Sequence, residues 1–96
     1  MIKPNNSGLG ISIDYSGLPE HMQGGMRRYI EQGLAPGSFL YLILCNDFVH
    51  AIGFADPINA ARIIDYAKFL YLEAPAGCWG SKEKVEAWMS SHRKET

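Results

Sequence analysis

Ninety-six residues carry nine basic and ten acidic side chains, for a formal charge of −1, and 47% of them are hydrophobic. That apolar share excludes a disordered tail and fits one packed domain, while the near-neutral balance supplies no cationic field to hold a nucleic-acid polymer by counterion release. The longest apolar run, Phe39 to Cys45, is far short of the roughly 20 residues of a membrane helix, and the first residues lack a basic-then-apolar signal pattern; a cytoplasmic protein with no membrane partner is expected.

Residues 1–17, with Asn5, Asn6, Ser7, Gly8, Gly10 and Gly17, read as a flexible or extended N-terminal arm. Within it, the alternation Ile11-Ser12-Ile13-Asp14-Tyr15 predicts an extended segment laid across helices, because a lone strand has no partner. Residues 18–96 are expected to form a single helical domain. Pro19 and Glu20 suit the start of a first helix, Met22, Met26, Tyr29 and Ile30 recur on one face, and Gly33 is a left-handed stop. The Gly24-Gly25 pair weakens that helix by roughly 1 kcal/mol per glycine relative to alanine, so it relies on docking.

The stretch from Phe39 to Val49 admits a hairpin turning at Asn46-Asp47 or a helix running from Pro36 to Gly53. The helix is favoured, because Leu40, Leu44, Phe48 and Ile52 then share a face and Asp is a poor second residue for a two-residue hairpin turn. Asp56-Pro57 is a cap followed by a first-turn proline. Ala60, Ala61, Ile64, Ala67, Leu70 and Tyr71 continue that third helix to Ala74-Pro75. Ser81 caps a fourth, with Val85, Trp88, Met89 and His92 on one face and a fraying tail from Arg93. The fold class expected is therefore all-α, a small four-helix domain with an extended N-terminal arm. A core this thin leaves little room for a deep private pocket, so a ligand site shared between copies, and hence a homo-oligomer, is expected.

Four groups of side chains carry candidate binding chemistry. Arg27 and Arg28 form an adjacent guanidinium pair that can clasp a phosphate or simply be a solvated face. Trp79, between glycines of the loop preceding Ser81, can stack on a base while Ser81 and the helix start accept an anion; alternatively Trp79 plugs the core and Ser81 merely caps. Asn46, Asp47 and His50 gather on one side of the second helix, where they can read a base edge or be ordinary surface. Tyr15 and Tyr71 are further rings for stacking.

Metal and catalytic roles find less support. Cys45 and His50 are five apart, off the register of a helical ligand pair, and no metal or other cofactor is expected. Cys45 and Cys78 are expected to be reduced thiols without an activating context. No catalytic residue is assigned.

The words Arg27-Arg28-Tyr29-Ile30-Glu31, Gly37-Ser38-Phe39-Leu40, Asn46-Asp47, Ala55-Asp56 with Asn59, Leu70-Tyr71, Glu73-Ala74-Pro75 and Cys78-Trp79-Gly80-Ser81 before Trp88 span most of the chain. Together they resemble a group of small helical proteins of bacteriophages and prophages without an assigned function. Phe54 and Leu72 depart from that group's pattern, which has polar residues there. The resemblance implies a phage origin and carries over no catalytic residue. Small accessory proteins of phages commonly occupy a host molecule, so the functional expectation is a non-enzymatic protein of the infected cell's cytoplasm. It would sequester a small anionic ligand, a cyclic nucleotide defence signal foremost, through Arg27, Arg28, Tyr15, Tyr71, Trp79, Ser81, Asn46 and His50. The alternative is a protein-interaction module that docks on and inhibits a host or virion protein.

Overall fold

The helical spacing of Met26, Tyr29 and Ile30 becomes the buried face of α1, Glu20–Gln32, in a computed structural model that describes residues 13–93. Gly33 ends the helix in the left-handed region at φ 69°, and its N–H donates to the Tyr29 carbonyl (2.9 Å) while Leu34 N–H donates to that of Arg28 (3.3 Å). This is the glycine-dependent stop that satisfies the last carbonyls of a helix.

The second stretch is neither hairpin nor unbroken helix. It forms α2, Ser38–Leu44, and α3, Phe48–Ile52, separated by a turn in which Asn46 sits at φ 64°. Two local preferences outweigh the period: asparagine tolerates the left-handed region better than most residues, and Asp47 accepts a hydrogen bond from the His50 N–H as the cap of α3. Asn46 and Asp47 therefore lie in the turn rather than on a helix flank. Leu40 and Leu44 are buried as expected, whereas Ile52, expected on the same face, is turned outward.

Asp56 caps α4, Pro57–Ala61, by accepting from Asn59 N–H (2.7 Å), with Pro57 at the first position. Arg62 leaves the helical region, φ −115° and ψ 23°, and α5, Ile63–Leu72, starts beyond it. The third expected helix is thus also broken in two. Of the expected face only Leu70 is buried: it points inward with Asn59, Tyr66 and Phe69, while Ala60, Ala61, Ile64, Ala67 and Tyr71 are exposed. A helix apolar around most of its circumference gives its period no single inward direction, and here the choice falls with a buried hydrogen bond, Tyr66 Oη donating to Asn59 Oδ1 at 2.7 Å. A 3-10 turn, Ala76–Cys78, leads to α6, Lys82–Arg93, whose Ser81 accepts from Lys84 N–H as expected.

All the described elements are helical, with no strand among the described residues, so the all-α class stands with its four helical runs divided into six helices and a 3-10 turn. The radius of gyration is 12.9 Å. One cluster forms the core, with Val85 and Met89 of α6 meeting α1 and α2. From Ile13 onward the N-terminal segment joins that cluster. Tyr15 and Leu18 are buried, Tyr15 packs 5.5 Å from the Phe69 ring, and Arg62 Nη2 donates to Gly17 O (2.8 Å). Residues 1–12, which hold the rest of the expected arm, lie outside the described residues. No described helix is long and apolar enough to cross a membrane.

Asp56 also joins α4 to α1, its Oδ2 standing 2.9 Å from His21 Nε2. The Asn59 amide and then His21 hold its carboxyl below its ordinary value of 3.8. A carboxyl depressed in the folded state stabilises the fold above the unfolded value and loses that contribution as pH falls through the folded one. The stability gap between the parent protein and Asp56→Ala, read by urea unfolding, is accordingly expected to be full at pH 5 and to close as pH drops below 3.8. A gap that stays constant down to pH 2.5 would contradict this.

Candidate functional site

Among the described residues, three surfaces bring together side chains with binding chemistry. On α1, the Arg27 guanidinium lies 4.5 Å from the centroid of the Tyr15 ring, and its Nη1 is 3.6 Å from Glu31 Oε2. Tyr15 Oη donates to the same Glu31 oxygen at 3.1 Å. Burial, with Glu31 next, pushes the Tyr15 phenol well above its ordinary range, so it stays neutral. The guanidinium carbon of Arg27 lies over the ring, a cation–π contact that leaves over half of the side chain in solvent. Arg28 beside it is exposed and reaches back over Gly24. The pair expected to bind an anion is therefore available, but Tyr15 supports it from below rather than offering an open ring face.

The second surface is an open groove of about 480 Å³ between α2 and α3, lined by Pro36, Ser38, Tyr41, Leu42, His50 and Phe54. Tyr41 Oη donates to Glu86 Oε2 at 2.7 Å, and that bond raises the phenol above its ordinary value. His50 Nδ1 stands 2.9 Å from both oxygens of Asp47. Of the residues singled out from the sequence, His50 alone lines this groove.

The third surface is a shallow cleft of about 450 Å³ bounded by Pro19, Glu20, His21, Ile58 and Arg62. Arg62 is engaged by Asp65 and the Gly17 carbonyl, and His21 by Asp56.

No protein-family profile, curated protein or solved structure matches this chain. Function must therefore be read from these side chains alone.

The remaining expected residues are dispersed. Trp79 is half-buried against the core, Ser81 caps α6, Asn46 is exposed in the α2–α3 turn, and Tyr71 is 82% exposed on α5. Neither of these two cavities includes Arg27, Arg28, Tyr15, Tyr71, Trp79 or Ser81 among its described lining residues. Sequence reasoning missed Tyr41 and Phe54 as groove walls. Tyr41 sat inside what read as one continuous helix and Phe54 just beyond its Gly53 stop, and only the turn at Asn46 folds α3 back beside α2.

Burial pushes the Cys78 thiol up to about 12 and raises that of Cys45 as well, which keeps both in the un-ionised form that is a poor nucleophile. Both are free. Among the described residues no group of three His, Cys, Asp or Glu side chains is placed to hold a metal ion.

Proposed function

We propose that this chain is a non-enzymatic phage accessory protein that sequesters a small anionic ligand, a cyclic nucleotide of host defence, between copies of itself in the cytoplasm of the infected bacterium. The observation that carries this reading is the Arg27 guanidinium stacked on Tyr15 with exposed Arg28 beside it. A planar cation fixed by a ring has lost much of its freedom before a phosphate arrives, and its outer N–H groups form charge-assisted hydrogen bonds. Glu31 competes for Arg27, but an exposed pair at 3.6 Å contributes at most about 1 kcal/mol and yields to a phosphate.

Assembly of copies is supported by the large apolar side chains turned to solvent, among them Val49 at 82%, Ile64 at 65% and Phe54 at 60%. A second copy can bring the exposed Tyr71 ring to ligand bound on α1. Calorimetric titration with cyclic di- and trinucleotides tests the reading. Saturable binding is expected in the parent protein, weakened about tenfold or more in Arg27→Ala and in Arg28→Ala, since hydrogen bonds to charged groups contribute about 1.5–3 kcal/mol. The ligand should be recovered chemically unchanged after long incubation. Absence of saturable binding to every member of the panel ends this reading.

The same outward apolar residues of α3 to α5 favour a second reading, a module that docks on and inhibits a host or virion protein. A stoichiometric complex with one such protein, formed equally well by Arg27→Ala and unaffected by nucleotides, would select it.

A further inference from the structure

The groove between α2 and α3 combines apolar and polar lining side chains. Pro36, Leu42 and the rings of Tyr41 and Phe54 supply apolar surface, and none of the six lining residues is Lys, Arg, Asp or Glu. Its volume falls within the range of about 300–1,000 Å³ typical of small-molecule sites, which pair apolar walls with a few placed polar groups. Two of the lining side chains are held by neighbours behind them. Glu86 fixes Tyr41 through its hydroxyl, and Asp47, itself anchored as the cap of α3, fixes His50.

The Asp47 contact decides what His50 offers. An ionised carboxylate can only accept, so Nδ1 carries a proton at this contact, and in the singly protonated ring Nε2 is the acceptor. Among the described residues Nε2 has no partner, although His50 belongs to the groove lining. Apolar walls, aromatic surface and one oriented imidazole nitrogen suit an uncharged flat ring bearing an N–H. They do not suit a phosphate, which brings charge and acceptors only.

We propose that this groove is a binding site for a small planar heteroaromatic molecule, packed against Tyr41 and Phe54 and donating its ring N–H to Nε2 of His50. The site is separate from Arg27 and Arg28 and does not rest on the anion-binding reading.

Indole and 1-methylindole form a matched pair of probes, because they share the flat apolar body and only indole carries the N–H. Titration of each into the ¹⁵N-labelled full chain, followed by amide correlation spectra, should give saturable shifts concentrated in Ser38–Leu42 and His50–Phe54. Indole should bind about three- to tenfold more tightly, the span of one net hydrogen bond. In His50→Ala the two should bind equally, and in Phe54→Ala both should weaken markedly. His50 and Phe54 are both exposed, so neither change removes core packing.

Equal affinity of the two probes for the parent protein would overturn the proposal. So would shifts outside the groove, no saturation by indole at its solubility limit, or unchanged affinity in Phe54→Ala. N-acetyltryptophan amide binding at least tenfold more tightly than indole would overturn it too, in favour of a peptide occupant. Loss of nucleotide binding in Arg27→Ala leaves each of these results unaffected.

Discussion

Replacing Gly33 with alanine is expected to lower the unfolding free energy by about 2–4 kcal/mol, combining a left-handed backbone penalty with overpacking. Gly33 is held at φ 69°, and a methyl group there would land on Cβ of His92, with the His92 Cγ only 2.7 Å away. Relief requires α6 to move, because the first atom struck is attached directly to its backbone. His92 is also tied at that end, its Nδ1 2.9 Å from the Trp88 carbonyl and its ring 5.1 Å from the Trp88 indole. Two observations check the expectation: a lower urea midpoint at unchanged slope, and amide shifts extending through residues 88–92. A loss below about 1 kcal/mol would mean that α6 is free to slide, contrary to the packing described.

Truncating Tyr29 to alanine is expected to cost about 3–5 kcal/mol, a large share of the roughly 5–15 kcal/mol that holds a small domain folded. The residue is fully buried and binds three segments together. Its hydroxyl donates to the Cys78 carbonyl at 2.7 Å, and its own carbonyl accepts from Gly33 N–H and from the Trp88 indole. Tyr29→Phe separates the two contributions. It keeps the ring and leaves the buried Cys78 carbonyl without its partner, for a loss of about 1–3 kcal/mol. Chemical unfolding of both variants should therefore rank them parent, phenylalanine, alanine. A phenylalanine variant as stable as the parent would show that another donor reaches that carbonyl.

These positions also show which parts of the fold local chemistry announces. Gly33 as a stop, Asp56-Pro57 as a start and Ser81 as a cap each act within one helical turn, so their signals survive in sequence. The buried faces of α1 and α6 were legible because each carries one apolar stripe, Met26-Tyr29-Ile30 and Val85-Met89. On α5 that reasoning held only for Leu70. Ile64 and Tyr71 fit the period as well as Tyr66 and Phe69 do, and the inward side is chosen by the partner hydroxyl and amide of Tyr66 and Asn59. The break at Asn46 was visible only as an Asn-Asp pair, a modest signal against eleven residues of apolar pattern.

The candidate site divides in the same way. Arg27 and Arg28 were recognisable as an exposed pair from spacing alone, but the Tyr15 ring beneath Arg27 arrives by tertiary docking from twelve residues away. His50 was singled out for its polarity. Its groove companions, Tyr41 and Phe54, became neighbours only when the chain reversed at the turn. Phe54 and Leu72 are both exposed, and neither contributes to the core.

The contrast between the two cysteines gives the chain a built-in clock for its own breathing. Cys78 is sealed within the interior with its thiol pushed up to about 12, whereas Cys45 is only partly covered. An alkylating reagent should modify Cys45 early. Cys78 should react only when the segment around the 3-10 turn swings open, so the ratio of singly to doubly modified protein, followed by mass spectrometry, times that opening without an added label.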